Sequence, residues 1–159
     1  MGNAIVETKE FTRFLIKAKQ NTYAGGGVLT SASRMTSKDL SFEEGAFAYR
    51  DSYLGDIDFI GEEAIWYQGK PVWGMNYYGR MLAEKTPIGF IDFLKAAMLQ
   101  VPEEMPYRGP EEYREGNFFY QCTVEGAVEW FRGKEFITYL DQRIYQLYFH
   151  GGSIQKQTS

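Results

Sequence analysis

The second half of this chain reads as a rewriting of its first. Residues 44–79 run EGAFAYRDSYLGDIDFIGEEAIWYQGKPVWGMNYYG, and residues 115–151 run EGNFFYQCTVEGAVEWFRGKEFITYLDQRIYQLYFHG. The second copy carries one extra residue near Arg132. Glu44, Gly45, Phe47, Tyr49 and Gly55 align with Glu115, Gly116, Phe118, Tyr120 and Gly126. Beyond the insertion, Gly61, Glu63, Ile65, Tyr67 and Gly79 align with Gly133, Glu135, Ile137, Tyr139 and Gly151. A repeat constrains architecture before any propensity argument is made. It says nothing yet about chemistry.

Local patterns fill in each copy. Phe11, Phe14, Leu15 and Ala18 fall at helical spacing, predicting an amphipathic helix over Thr8–Gln20 that ends before Gly25-Gly26-Gly27. Lys9, Arg13, Lys17 and Lys19 are read onto its other faces. Phe47, Tyr49, Asp51 and Tyr53 alternate with smaller or polar residues, the period of a strand. Ile57–Tyr67 and Pro71–Tyr78 read as two further strands, joined by a tight turn at Gln68-Gly69. Thr86-Pro87 reads as the cap and first residue of a second helix, with Phe90, Leu94, Ala97 and Met98 buried and Pro102 as its stop. Three strands follow near 117–125, 127–139 and 142–150. The polar segment 30–41 reads as a long loop without counterpart in the second copy, and Pro110–Arg114 as one helical turn. The expected fold is α+β: a duplicated helix–three-strand unit giving an antiparallel sheet of about six strands with two helices on one face. A single domain over 1–159 is expected, with pseudo-repeats at 8–80 and 86–152 and a frayed tail at 153–159.

Composition narrows the function classes. The net charge of −4 and the lack of a basic patch argue against nucleic-acid binding by this chain alone. A single cysteine, Cys122, leaves no internal disulfide and fits a reducing, cytoplasmic setting. No segment has the apolar length of a membrane span. MGNAIVETKEF does not read as a secretory signal, and Val6 stands where N-myristoylation of Gly2 wants Ser or Thr. One histidine and one cysteine offer no metal set, so no metal or cofactor is expected. The 12 Phe, 12 Tyr and 3 Trp exceed what a core of this size needs, which suits a ligand cleft or an interface.

Chemistry is sought where the copies differ. Asp51 shares the parity of Phe47 and Tyr49, and its aligned partner is Cys122. A carboxylate on an apolar face is costly unless paired, so Asp51 meets a ligand, is paired with Arg34, Arg50 or Arg108, or sits at the strand end in solvent. Glu62 and Glu63 point to opposite faces, which excludes a paired-carboxylate site; a solvated charge is the plainer reading of each. Glu62 aligns with Lys134 and leans functional, whereas Glu63 recurs as Glu135 and leans structural. His150 aligns with Tyr78 and lacks an identifiable nucleophile beside it. Trp66, Asn76, Tyr78 and Tyr148 share the parity opposite to Trp73, Met75 and Tyr77, so they line the uncovered sheet face. Such a face serves as a ligand floor, as a dimer interface, or as plain solvated surface.

The strings YAGGG, SKDLSFEEG, FIGEEAIW, GKPVWGMNYYGR and PYRGP together resemble a bacterial family of uncharacterised domains. The resemblance runs from about Phe11 to Gly152. Its members occur alone or fused behind a helix-turn-helix module of the xenobiotic-response type, which implies effector sensing or dimerisation. About ten residues precede the first helix of this sequence, and it holds no such module. No catalytic residue carries over. The reading is a small-molecule-binding module for a cationic, partly aromatic ligand, using Asp51, Glu62, Trp66, Asn76, Tyr78, Tyr148, His150 and Arg34. The alternatives are a homodimerising interaction domain and a small enzyme with His150 or Asp51 as acid–base.

Overall fold

A computed structural model describes residues 3–157 of the chain. A 3₁₀ turn, Ala4–Glu7, leads to helix α1, Lys9–Asn21. The Thr8 hydroxyl caps it by accepting the Phe11 N–H at 3.2 Å, satisfying a donor that has no partner within the helix. A four-strand meander follows: β1 (Lys38–Glu44), β2 (Phe47–Gly55), β3 (Phe59–Tyr67) and β4 (Lys70–Met81). Helix α2 (Phe90–Leu99) precedes a second meander: β5 (Glu112–Glu115), β6 (Phe118–Ala127), β7 (Trp130–Tyr139) and β8 (Gln142–Ser153).

All eight strands join one antiparallel sheet in the order β1-β2-β3-β4-β8-β7-β6-β5. The two halves meet at the β4–β8 seam, where Tyr78 lies opposite Tyr148 and Asn76 opposite His150. The expected plan of about six strands with two helices on one face is therefore corrected: the molecule is mostly one large eight-stranded sheet with two short helices. The missed strands are the edges, β1 (KDLSFEE) and β5 (EYRE). Edge strands carry polar and charged residues that discourage pairing with other chains, and this erases the apolar alternation by which strands are recognised. The supposed loop 30–41 accordingly ends in β1, and the supposed helical turn at 110–114 runs into β5.

The helices cover residues that alternate along the strands. Phe11 packs edge-on against Phe47 and Trp73, at 6.2 and 6.0 Å between ring centroids. Phe90 meets Tyr145 at 5.3 Å, and Phe93 stacks on Phe118 at 4.9 Å. Ile65, Trp73, Met75, Tyr120, Ile137, Leu147 and Phe149 complete this buried layer. Their sequence neighbours face away from the helices, leaving Ile60, Tyr78 and Tyr148 exposed on the other side.

Two local readings also change. Helix α2 starts at Phe90, not at Thr86-Pro87; Gly89 adopts φ +86° and no side chain caps the helix. Pro87 instead closes a turn through its carbonyl, which accepts the Phe90 N–H at 3.2 Å. Ile154 is not frayed, since its N–H donates to Val72 O at 2.8 Å. Thr158 and Ser159 of the expected frayed tail, and Gly2 of the acylation reading, lie outside the described residues.

Candidate functional site

Three carboxylates lie under the helices, and two are paired with a cation. Glu63 on β3 accepts Lys19 Nζ at 2.6 Å and the Tyr49 hydroxyl. Lys19 also donates to Tyr107 O at 2.5 Å. Glu135, at the aligned position on β7, accepts Arg108 Nε at 3.2 Å and Nη2 at 2.7 Å. The hydroxyls of Tyr120 and Tyr145 add bonds to Glu135 at 2.6 and 2.8 Å. Buried ions survive only when Coulomb attraction and hydrogen bonds offset desolvation, and both sets meet that condition. Burial pulls the Lys19 ammonium below its ordinary range, with Glu63 opposing the shift. Burial and Glu135 push the Tyr120 and Tyr145 hydroxyls far above theirs, so both remain donors. Glu63 is thus a buried partner and not a solvated charge; Glu62, its neighbour, is exposed. Lys19 is buried and does not lie on an outer face of α1. It follows Leu15 by one helical repeat and so sits on the buried stripe.

Asp51 is the third carboxylate. Its Oδ1 accepts the Tyr77 hydroxyl at 2.5 Å. Among the described residues it has no salt bridge: Arg108 is held by Glu135, and Arg34 donates to Ser52 O and Oγ at 3.0 and 2.9 Å. Oδ2 accepts no bond from the described residues. Asp51 lines a cavity of about 360 Å³ together with Tyr77, Arg108, Tyr23, Phe59 and Phe90. Lys95 on α2 borders the same cavity, its Nζ lying 5.3 Å from the centre of the Tyr23 ring. The residues aligned with Asp51 and Tyr77 are Cys122 and Phe149, so the other half has no equivalent carboxylate. Burial pushes the Cys122 thiol up to about 12, which makes it inert as a nucleophile.

Burial, reinforced by the charge of Glu63, pushes the Asp51 carboxyl up to about 7, with the Tyr77 hydrogen bond, Lys19 and Arg108 opposing. This fixes the sign of a pH effect. An unfolded aspartate titrates near ~3.9, so between that pH and about 7 the native state binds the extra proton. The stabilisation is complete below the lower value and is lost as pH rises through the upper one. Asp51→Asn is expected to remove this component. The stability gap between variant and wild type, from urea melts at pH 4.5 and pH 8, should move in favour of the variant at the higher pH. An unchanged gap would show that Asp51 titrates normally.

The eight residues proposed from sequence fall into three groups. Asn76, Tyr78, Tyr148 and His150 converge on a hollow of about 880 Å³ in the uncovered face. Arg34, Glu62 and Trp66 border a separate hollow of about 310 Å³ with Arg50 and Ser52. Asp51 stands on the opposite, helix-covered face. Strand parity keeps it from the others, so Asp51 and His150 cannot act on one ligand atom. Arg34 is held down on Ser52, and Ser37 and Ser52 donate to the buried Asp39 at 2.6 and 2.9 Å, which fixes the 33–37 loop. Sequence reasoning missed Tyr23, Tyr77 and Lys95 as cavity residues. Tyr23 and Arg108 do lie within YAGGG and PYRGP, the strings behind the family resemblance.

Among the described residues, no helix is long and apolar enough to cross a membrane. No group of three His, Cys, Asp or Glu among them is placed to hold a metal ion. No curated protein and no solved structure matches the chain. The family DUF5680, described as a domain of unknown function, matches residues 51–154, from Asp51 itself through the end of β8. With that match spanning most of its length, the chain belongs to the DUF5680 family.

Proposed function

We propose that this domain binds a cationic, partly aromatic small molecule in the helix-side cavity, with Asp51 as its counter-charge. One observation carries the reading: Asp51 lines an aromatic-walled cavity and, among the described residues, makes no salt bridge of its own. The Lys19–Glu63 and Arg108–Glu135 pairs close on themselves, so on the helix side of the sheet Asp51 is the buried carboxylate without a salt bridge to the described residues. Carboxylate and aromatic faces together favour ammonium and amidinium groups. The volume of about 360 Å³ suits a ligand of one or two rings. A binding domain of this kind fits the resemblance to domains fused to helix-turn-helix regulators, where ligand occupancy would be the signal.

The probes are 2-phenylethylammonium and its neutral analogue 2-phenylethanol. At pH 8 the amine should raise the melting temperature and bind at least about tenfold more tightly than the alcohol. Asp51→Asn should abolish that preference while leaving the fold intact. Equal binding of amine and alcohol by the wild type, or no binding of either at millimolar concentration, overturns the proposal.

A second reading rests on the convergence of Asp51 and Arg108 on one cavity. A carboxylate able to change protonation beside a guanidinium could move a proton on a bound substrate. His150 takes no part in this, since it lies on the other face.

A further inference from the structure

The uncovered face carries a hollow of opposite character. Strand register sets its side chains in two rows across the seam. Lys134, Tyr148 and Tyr78 stand side by side on β7, β8 and β4; Arg132, His150 and Asn76 form the next row. Neighbouring strands lie ~4.8 Å apart, so each group is within reach of one aromatic ligand laid across the seam. Tyr78 and Tyr148 are 45% and 55% exposed, and neither makes a hydrogen bond to the described residues through its hydroxyl. They present two bare rings directly opposite each other. Among the described residues Lys134 has no carboxylate partner; its Nζ lies 5.7 Å from the centre of the Phe136 ring. Arg132 bonds one oxygen of Glu125 through Nε and Nη2, leaving Nη1 free. In a chain of net charge −4, this is a local concentration of positive and hydrogen-donating groups.

We propose that this hollow is a second binding site, for a planar aromatic carboxylate stacked on Tyr78 and Tyr148 with its anionic group held by Lys134 and Arg132. Stacking on rings needs no base- or shape-specific partner, and the flanking cations fix which end of the ligand points to β7. The volume of about 880 Å³ is of the size that binds a small molecule. The site does not depend on the Asp51 cavity, because the sheet lies between them.

The test uses the full chain and naphthalene-2-carboxylate, with 2-naphthylmethylammonium as the charge-inverted control. Titration calorimetry should give a carboxylate dissociation constant below ~1 mM, with the ammonium at least about tenfold weaker in the Asp51→Asn background. Lys134→Glu and Tyr148→Ala alter exposed side chains and should retain wild-type circular dichroism. Each should weaken carboxylate binding about tenfold or more. Asp51→Asn should leave carboxylate binding unchanged. The proposal is overturned if the carboxylate does not bind, if either face variant binds it as tightly as the wild type, or if Asp51→Asn abolishes its binding. It is also overturned if light scattering at micromolar concentration shows a dimer that Tyr148→Ala converts to monomer, since the hollow would then be a protein interface.

Discussion

Arg108→Ala is expected to destabilise the fold by about 3–5 kcal/mol, because it strands a buried carboxylate. Glu135 is fully buried and takes four hydrogen bonds, two of them from Arg108. Without the guanidinium, Tyr120 and Tyr145 still donate, but no charge balances Glu135. Urea denaturation measures the loss. The double substitution Arg108→Met/Glu135→Leu should recover most of the stability, since apolar groups of similar volume replace a pair that gains little net energy. A loss below about 1 kcal/mol for Arg108→Ala would mean that water reaches Glu135 and that the pair is not structural.

A second large effect is expected at Gly133. A Cβ built there would lie 2.2 Å from Phe149 Cζ and 2.7 Å from Thr123 O. Phe149 is buried and packs near Tyr107 and Phe131, so its ring cannot withdraw cheaply. Gly133→Val should cost about 3 kcal/mol or more, at the upper end of overpacking. Gly74→Ala, in the same sheet, is the control. Its Cβ would meet nothing closer than 3.4 Å, so the melting temperature should hardly move. If both variants melt alike, the close approach of Phe149 to β7 is wrong. Gly61 stands in the aligned position and faces Tyr77 in the same way, its Cβ falling 2.4 Å from the hydroxyl. These glycines leave room for the large residue on the neighbouring strand, which is why both copies retain them.

The central strands were legible because each alternates apolar and polar residues against one covered face, as in Trp73, Met75 and Tyr77. The edges were not. Lys38–Glu44 and Glu112–Glu115 have too little apolar burial to leave a pattern, and only hydrogen bonding to β2 and β6 makes them strands. The face of a residue was readable wherever strand parity applied, which placed Asp51 inside and Tyr78 outside. The polar partners were less so. Lys19 and Glu63 are 44 residues apart, and Arg108 and Glu135 are 27 apart, so no local periodicity links either pair.

What the sequence by itself determined is the inner core, because alternation and the aligned glycines dictate which side chains point inward. The difference between halves was equally explicit, with Asp51 and Tyr77 standing where the second half has Cys122 and Phe149. Only the tertiary structure decided what that difference means. Whether a buried carboxylate is satisfied depends on which cations arrive from distant segments. Lys19 goes to Glu63 and Arg108 goes to Glu135, and Asp51 is left with one tyrosine hydroxyl and an open cavity. Packing geometry, unlike periodicity, is a property of the assembled chain.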